Sequence, residues 1–192
     1  MEEIIERVNK LALEEIKKYG GPSLPHYNLS LSKVDDVVKK VGKDKVDSNI
    51  VKLGVMLMDI KLGEAIKKGK ASEHIKMSVE YAKQILDCFK LDGKTKENVL
   101  NCIEAHHGTV PFKSIEAEIC ANLDCYRFIY PQGVFFTYIQ TVTGWGKSQN
   151  DAIDMVLEKM EEKRNVLSLE VCKKELEPLY QKIKKLLIMS KI

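Results

Sequence analysis

Residues 50–62, Ile50-Val51-Lys52-Leu53-Gly54-Val55-Met56-Leu57-Met58-Asp59-Ile60-Lys61-Leu62, decide how the fold is read. Their apolar side chains fall on nearly every side of a helix. The sequence therefore predicts a helix over about 48–68, buried at the centre of the molecule. One residue conflicts with that burial. Asp59 is a carboxylate in the middle of the run, and a buried charge without a partner is strongly destabilising. It requires a metal, a cationic partner or a set of hydrogen bonds, which makes it the first candidate ligand.

Outward from this segment, apolar residues recur at helical spacing, and Gly and Pro cluster at only a few points. That divides the chain into about eight or nine helices, an all-α protein. Helices are expected over about 2–18, 31–41 (after a loop through Gly20-Gly21-Pro22), 72–89 with Ser72 as N-cap, 95–107, 114–128, 150–164 and 169–187. Residues 130–142 read as helix or strand. No linker, repeat or low-complexity tract separates domains, so residues 1–192 are expected to form one domain, with the last two helices, about 150–188, packed outside the rest.

Composition narrows the function classes. A hydrophobic fraction of 44% with 31% charged residues excludes a disordered or collagen-like chain. With 31 Lys+Arg against 28 Asp+Glu the formal charge is +3, which gives no electrostatic footprint for nucleic acid or an anionic membrane. Residues 128–146 lack charge but contain Pro131, Gln132, Gly133, Gln140 and three threonines, too polar for a spanning helix. The opening Met1-Glu2-Glu3-Ile4-Ile5-Glu6 is acidic where a secretory signal is basic, and the five cysteines show no C-x-x-C spacing. Free thiols and a cytoplasmic location are expected.

Further inward polar residues accompany Asp59. Asp124 lies among the small and apolar residues Ile119-Cys120-Ala121-Asn122-Leu123-Asp124-Cys125-Tyr126 and repeats the pattern, with an interior Arg or Lys as the alternative partner for either acid. His74 shares a helix face with Met77, Ser78 and Tyr81, and His106 shares one with Val99 and Ile103. Neighbours on a helix diverge by about 100°, so His106 is expected inward and His107 elsewhere. Two inward histidines and two inward aspartates form a ligand set suited to Zn, Mn or Fe.

In residue order, 24–128 resembles the HD-domain superfamily of metal-dependent phosphohydrolases. His26 to Val34 lies over the family's opening H-D-x-x-H-x-x-R-V segment, and Val55-Met56-Leu57-Met58-Asp59-Ile60 over its apolar run and H-D-I-G. Glu73-His74 with Ile85-Leu86, then Ile103 with His106-His107, then Asn122-Leu123-Asp124 are similar to the E-H, H-H and D-A-D segments that follow. Two departures stand out: Ser30 replaces the first metal histidine and Met58 the histidine of the H-D pair. A hydroxyl and a thioether are poor ligands for a hard divalent cation, so the first metal site keeps only Asp59 and Asp124.

The resemblance implies an HD-type helical bundle and a divalent metal ion (Mn, Zn, Ni, Fe or Mg) held by Asp59, His74 and His106. It also implies hydrolysis of a nucleotide or other small phosphate ester through a metal-activated water, which Asp124 binds or orients as the second catalytic and ligating acid. His26, His107, Lys33 and Lys61 are the residues placed to meet substrate phosphate. Ser30 and Met58, which remove two ligands at once, support the contrasting reading, a degenerate HD domain that serves as a ligand-binding or interaction module. Restoring both histidines is expected to raise metal occupancy.

Gly144-Trp145-Gly146-Lys147-Ser148 is no phosphate-binding loop, since its first glycine would fall at Thr141 and no strand–helix alternation surrounds it; Ser148 and Asp151 read as a helix start. The aromatics Tyr126, Phe128, Tyr130, Phe135, Phe136, Tyr138 and Trp145 read as a core plug, with a ligand-pocket wall or homodimer contact as the other readings.

Overall fold

Several helices start where a side chain accepts hydrogen bonds from backbone amides that no preceding turn can satisfy. Asp47 accepts from Asn49 N, Asp92 from Thr95 N, Ser114 from Ala117 N and Ser148 from Asp151 N. The computed structural model describes residues Met1–Ile192 and consists of helices and turns without strands. In order these are α1 (Glu2–Tyr19), α2 (Leu24–Val41), α3 (Ser48–Leu57), α4 (Leu62–Lys67) and α5 (His74–Asp87). Then come α6 (Gly93–Ala105), α7 (Ile115–Ile129), α8 (Pro131–Ile139), α9 (Gln149–Val166) and α10 (Glu170–Met189). The all-α class and the helix count of eight or nine hold, with α3 and α4 taken as one interrupted helix.

That interruption is the main difference from the sequence reading. The helix expected over 48–68 stops at Leu57 and resumes at Leu62. Between them the bonds tighten to Ile60 N→Leu57 O at 3.2 Å and Leu62 N→Asp59 O at 2.9 Å. Helical periodicity cannot reveal such a break, because the apolar run continues through it. A second correction concerns α2, which begins at Leu24 and not near Leu31, so His26 lies in a helix and not a loop. Pro25 fits the first turn, where its missing N–H costs nothing. A 3-10 turn, Ala71–Glu73, leads into α5, so Ser72 is not its N-cap. The aromatic segment is helical, as α8 followed by a π-helical turn, Gln140–Gly144.

The centre of the molecule is shared between α3 and α7. α7 packs against α2, α3, α6, α8, α9 and α10, and its small residues Ala117, Cys120 and Ala121 are fully buried. Close approach is needed here: a Cβ on Gly54 would stand 2.6 Å from Cys102 Cβ and 2.7 Å from Cys120 Sγ. The apolar core runs continuously from Val8 on α1 to Leu187 on α10, so the outer pair α9 and α10 belongs to the same packed unit. No helix is long and apolar enough to cross a membrane.

Candidate metal centre

Asp59 lies in the break between α3 and α4, against His74 at the start of α5, His106 at the end of α6 and Arg127 on α7. His74 is the first residue of α5, and His106 is the cap residue at the end of α6. Asp59 and His106 are buried, and the His74 side chain is nearly so. Asp59 Oδ1 lies 3.3 Å from His74 Nε2 and 3.5 Å from His106 Nε2. With His107 these residues form a group whose donor atoms all lie within 4.8 Å of one another, which can hold a metal ion.

Hydrogen bonding fixes how the two imidazoles are presented. His74 Nδ1 donates to Ala71 O and His106 Nδ1 to Ile103 O, both at 2.7 Å, and a carbonyl only accepts. Each ring therefore turns its Nε2 toward Asp59 Oδ1, as a lone pair when the ring is neutral and as an N–H when it is protonated. Converging lone pairs repel unless a cation lies among them. Asp59 Oδ1 and His106 Nε2 are both buried without a hydrogen-bond partner. The 3.3 and 3.5 Å separations exceed the roughly 2.7–2.9 Å of a charge-assisted hydrogen bond. They match the edge of about 3.3–3.4 Å between ligands of a tetrahedral metal bound at 2.0–2.1 Å. The donor set and its orphaned atoms thus fit a divalent metal, with two imidazoles fixed by backbone carbonyls as is usual for ligating histidines.

Sequence reasoning separated His106 from His107, and the structure joins them. The 100° rule applies only within a helix, and α6 ends at Ala105. Gly108, at φ 68°, lets the chain turn back at once, and the rings of His106 and His107 lie 4.2 Å apart between centroids. Burial, then the charges of His106 and Lys163, lower the His107 pKa to about 3, so its ring is neutral near pH 7.

Asp124, expected among the metal ligands, is not in the group. Its Oδ1 accepts from Arg127 Nη1 at 2.9 Å, and its Oδ2 lies 2.7 Å from Lys163 Nζ. Arg127 Nη1 also donates to Asp59 Oδ2. All four residues are buried, Lys163 completely. Burial would raise both carboxyl pKa values. Against it, Arg127 and His106 hold Asp59 well below the usual range, and Lys163 with Arg127 does so for Asp124. Arg127 and Lys163 are the partners the sequence reading did not name. A signal existed for each: Arg127 follows Asp124 by three residues on one helix, and Lys163 continues the buried stripe of Ile153, Val156 and Met160.

The remaining sequence candidates stand apart. Lys33 pairs with Glu175 at 2.9 Å and lies over the Tyr130 ring. Lys61 pairs with Glu15 at 2.8 Å and Glu64 at 2.9 Å. His26 is buried between Phe128 and Phe136, with Nε2 3.2 Å from Gly133 O. A surface cleft of about 570 Å³ is lined by Glu97, Asn98, Asn101, Glu104 and Lys113 among others and includes none of the centre's residues. No protein-family model, curated protein or solved structure matches the chain.

Proposed function

We propose that this chain is a metal-dependent phosphohydrolase of the HD-superfamily type, acting on a nucleotide or other small phosphate ester. The observation that carries the reading is the convergence of Asp59 Oδ1, His74 Nε2 and His106 Nε2 at separations of 3.3 and 3.5 Å, with Asp59 Oδ1 and His106 Nε2 buried and lacking a hydrogen-bond partner. Asp59, His74 and His106 hold the metal, and His107 joins them or meets a substrate oxygen. A divalent cation bound there supplies Lewis acidity, lowering the pKa of a water toward neutrality and polarising a phosphoryl oxygen. Mn, Zn, Ni and Fe suit a mixed imidazole and carboxylate set better than Mg, which prefers oxygen.

The chain's own residues divide the work. Ala71 O and Ile103 O fix the two imidazoles, and Arg127 fixes Asp59 by holding its other oxygen. Asp124 acts through Arg127 and touches neither substrate nor metal. Of the four residues expected to meet phosphate, His107 is the one at the centre, because Lys33 and Lys61 are neutralised by glutamates and His26 is enclosed by aromatic rings. A screen of phosphate monoesters and nucleotides with added Mn²⁺, Zn²⁺ or Ni²⁺ tests the reading. Metal-dependent phosphate release is expected, falling by at least about 100-fold in Asp59→Ala and His74→Ala. Release that is independent of metal, or unchanged in both variants, would refute it.

A second reading has its own support. Arg127 and Lys163 already balance both aspartates, and burial notwithstanding, Asp59 raises the His74 pKa, so an imidazolium can satisfy the carboxylate in place of a metal. The chain would then be a degenerate HD domain serving as a ligand-binding or interaction module. Absence of both metal and turnover in the wild type favours this reading.

A further inference from the structure

We propose that Arg127, backed by Lys163, limits this centre to one metal ion and keeps Asp59 a single-oxygen ligand. The proposal rests on the metal reading above. A carboxylate that bridges two metals in the common two-oxygen mode must offer both oxygens. Asp59 offers one, because Oδ2 accepts from Arg127 Nη1 inside the protein. The neighbouring buried acid is no substitute: Asp124 Oδ1 accepts from the same Nη1, and its Oδ2 is paired with Lys163. The guanidinium thus stands between two carboxylates, where a second cation would otherwise be drawn.

Charge balance points the same way. Two buried carboxylates face two buried side-chain cations, so the group is neutral before any metal arrives. A first divalent ion at the histidines adds two charges, of which a hydroxide offsets one and a dianionic phosphate ester offsets both. A second would add two more next to a fixed guanidinium and a fixed ammonium, at high cost in a poorly solvated interior. Ser30 and Met58, both buried, lie in this part of the core; Ser30 Oγ donates to Leu123 O at 3.4 Å, beside Asp124. It follows that histidines at these two positions gain no metal while Arg127 remains, so their absence is not what limits the centre. Arg127 is a positioning residue here: it acts on the metal through Asp59.

Metal-to-protein ratios and low-temperature EPR with Mn²⁺ test this on the full chain. Wild type, Arg127→Lys and Ser30→His/Met58→His should each saturate at one Mn²⁺ per chain with the spectrum of an isolated ion. Adding Arg127→Met to the histidine pair should raise the ratio to two and produce a spin-coupled spectrum, a signal that a merely structural role for Arg127 would not create. Two metals in the wild type or in the histidine pair overturn the proposal, as does a folded triple variant that stays at one. If the triple variant does not fold, the ratios of the wild type and the histidine pair decide. No metal in the wild type defeats the metal reading and this inference together, whereas two metals leave the reading intact and defeat the inference alone.

Discussion

Asp59 and Asp124 are acids of the same type, both buried and both bonded to the same guanidinium nitrogen. They differ in their second oxygen. Asp124 turns it to Lys163, and its charge is consumed within the protein. Asp59 turns it to two imidazole nitrogens and to no side-chain cation of Arg or Lys, so that oxygen remains open to a cation from outside. Burial of an acid therefore does not identify a ligand. What its free oxygen faces decides, and backbone geometry sets that: Asp124 lies within α7, opposite α9, whereas Asp59 lies in the break after α3.

The largest effect expected from this contrast is on stability at the Asp124 side. Lys163→Met strands a carboxylate with half its compensation and should cost about 3–5 kcal/mol in urea unfolding, as breaking one side of a buried pair does. Asp124→Asn in the same chain should recover much of that loss. A cost below about 1 kcal/mol for Lys163→Met would show that the ammonium is not needed there.

Metal affinity should separate the two acids next. Asp59→Asn and His106→Ala remove ligands and should weaken Mn²⁺ binding by more than about 100-fold, while Asp124→Asn, acting through Arg127, should weaken it by about 10–100-fold as outer-shell changes do. Equal losses measured by titration would erase the distinction drawn between them.

The reach of Arg127's charge can be read from His26. Burial, then Arg127, lower its pKa from the ordinary 6.5 to about 4. Between those values the unfolded chain binds a proton that the folded one does not. Stability should therefore fall as pH drops from about 6.5 to 4, by up to about 3 kcal/mol, and this contribution should level off below that. His26→Gln should flatten denaturation midpoints across this window; an unchanged slope would assign it to other groups. The smallest effect is expected at Lys33, where Lys33→Met breaks a partly exposed pair with Glu175, costs about 1 kcal/mol or less and leaves metal binding unchanged.

Much of this architecture was legible in the sequence because helical periodicity reports directly on which face is buried. It placed α5, α6, α7, α9 and α10 within a few residues and marked Asp59, Asp124, His74 and His106 as inward. Periodicity does not report interruptions within a uniformly apolar run, and so the break at residues 58–61 and the true position of Asp59 were not visible. Nor does it describe chain past a helix end, which is why His107 was set apart from His106. Arg127 and Lys163 were missed for a different reason. Long basic side chains are ordinarily exposed, and only their spacing relative to Asp124 and to the buried stripe of α9 distinguished them. The resemblance that singled out Ser30 and Met58 likewise says which ligands are lost; the side chains that balance the remaining acids emerge from the structure.

The most direct test of the account is the metal content of the chain after dialysis against Mn²⁺, Zn²⁺ or Ni²⁺, compared with that of His106→Ala treated alike. The account predicts close to one metal per wild-type chain and almost none in the variant. A wild type without metal under all three conditions, or a variant that retains it fully, would contradict it.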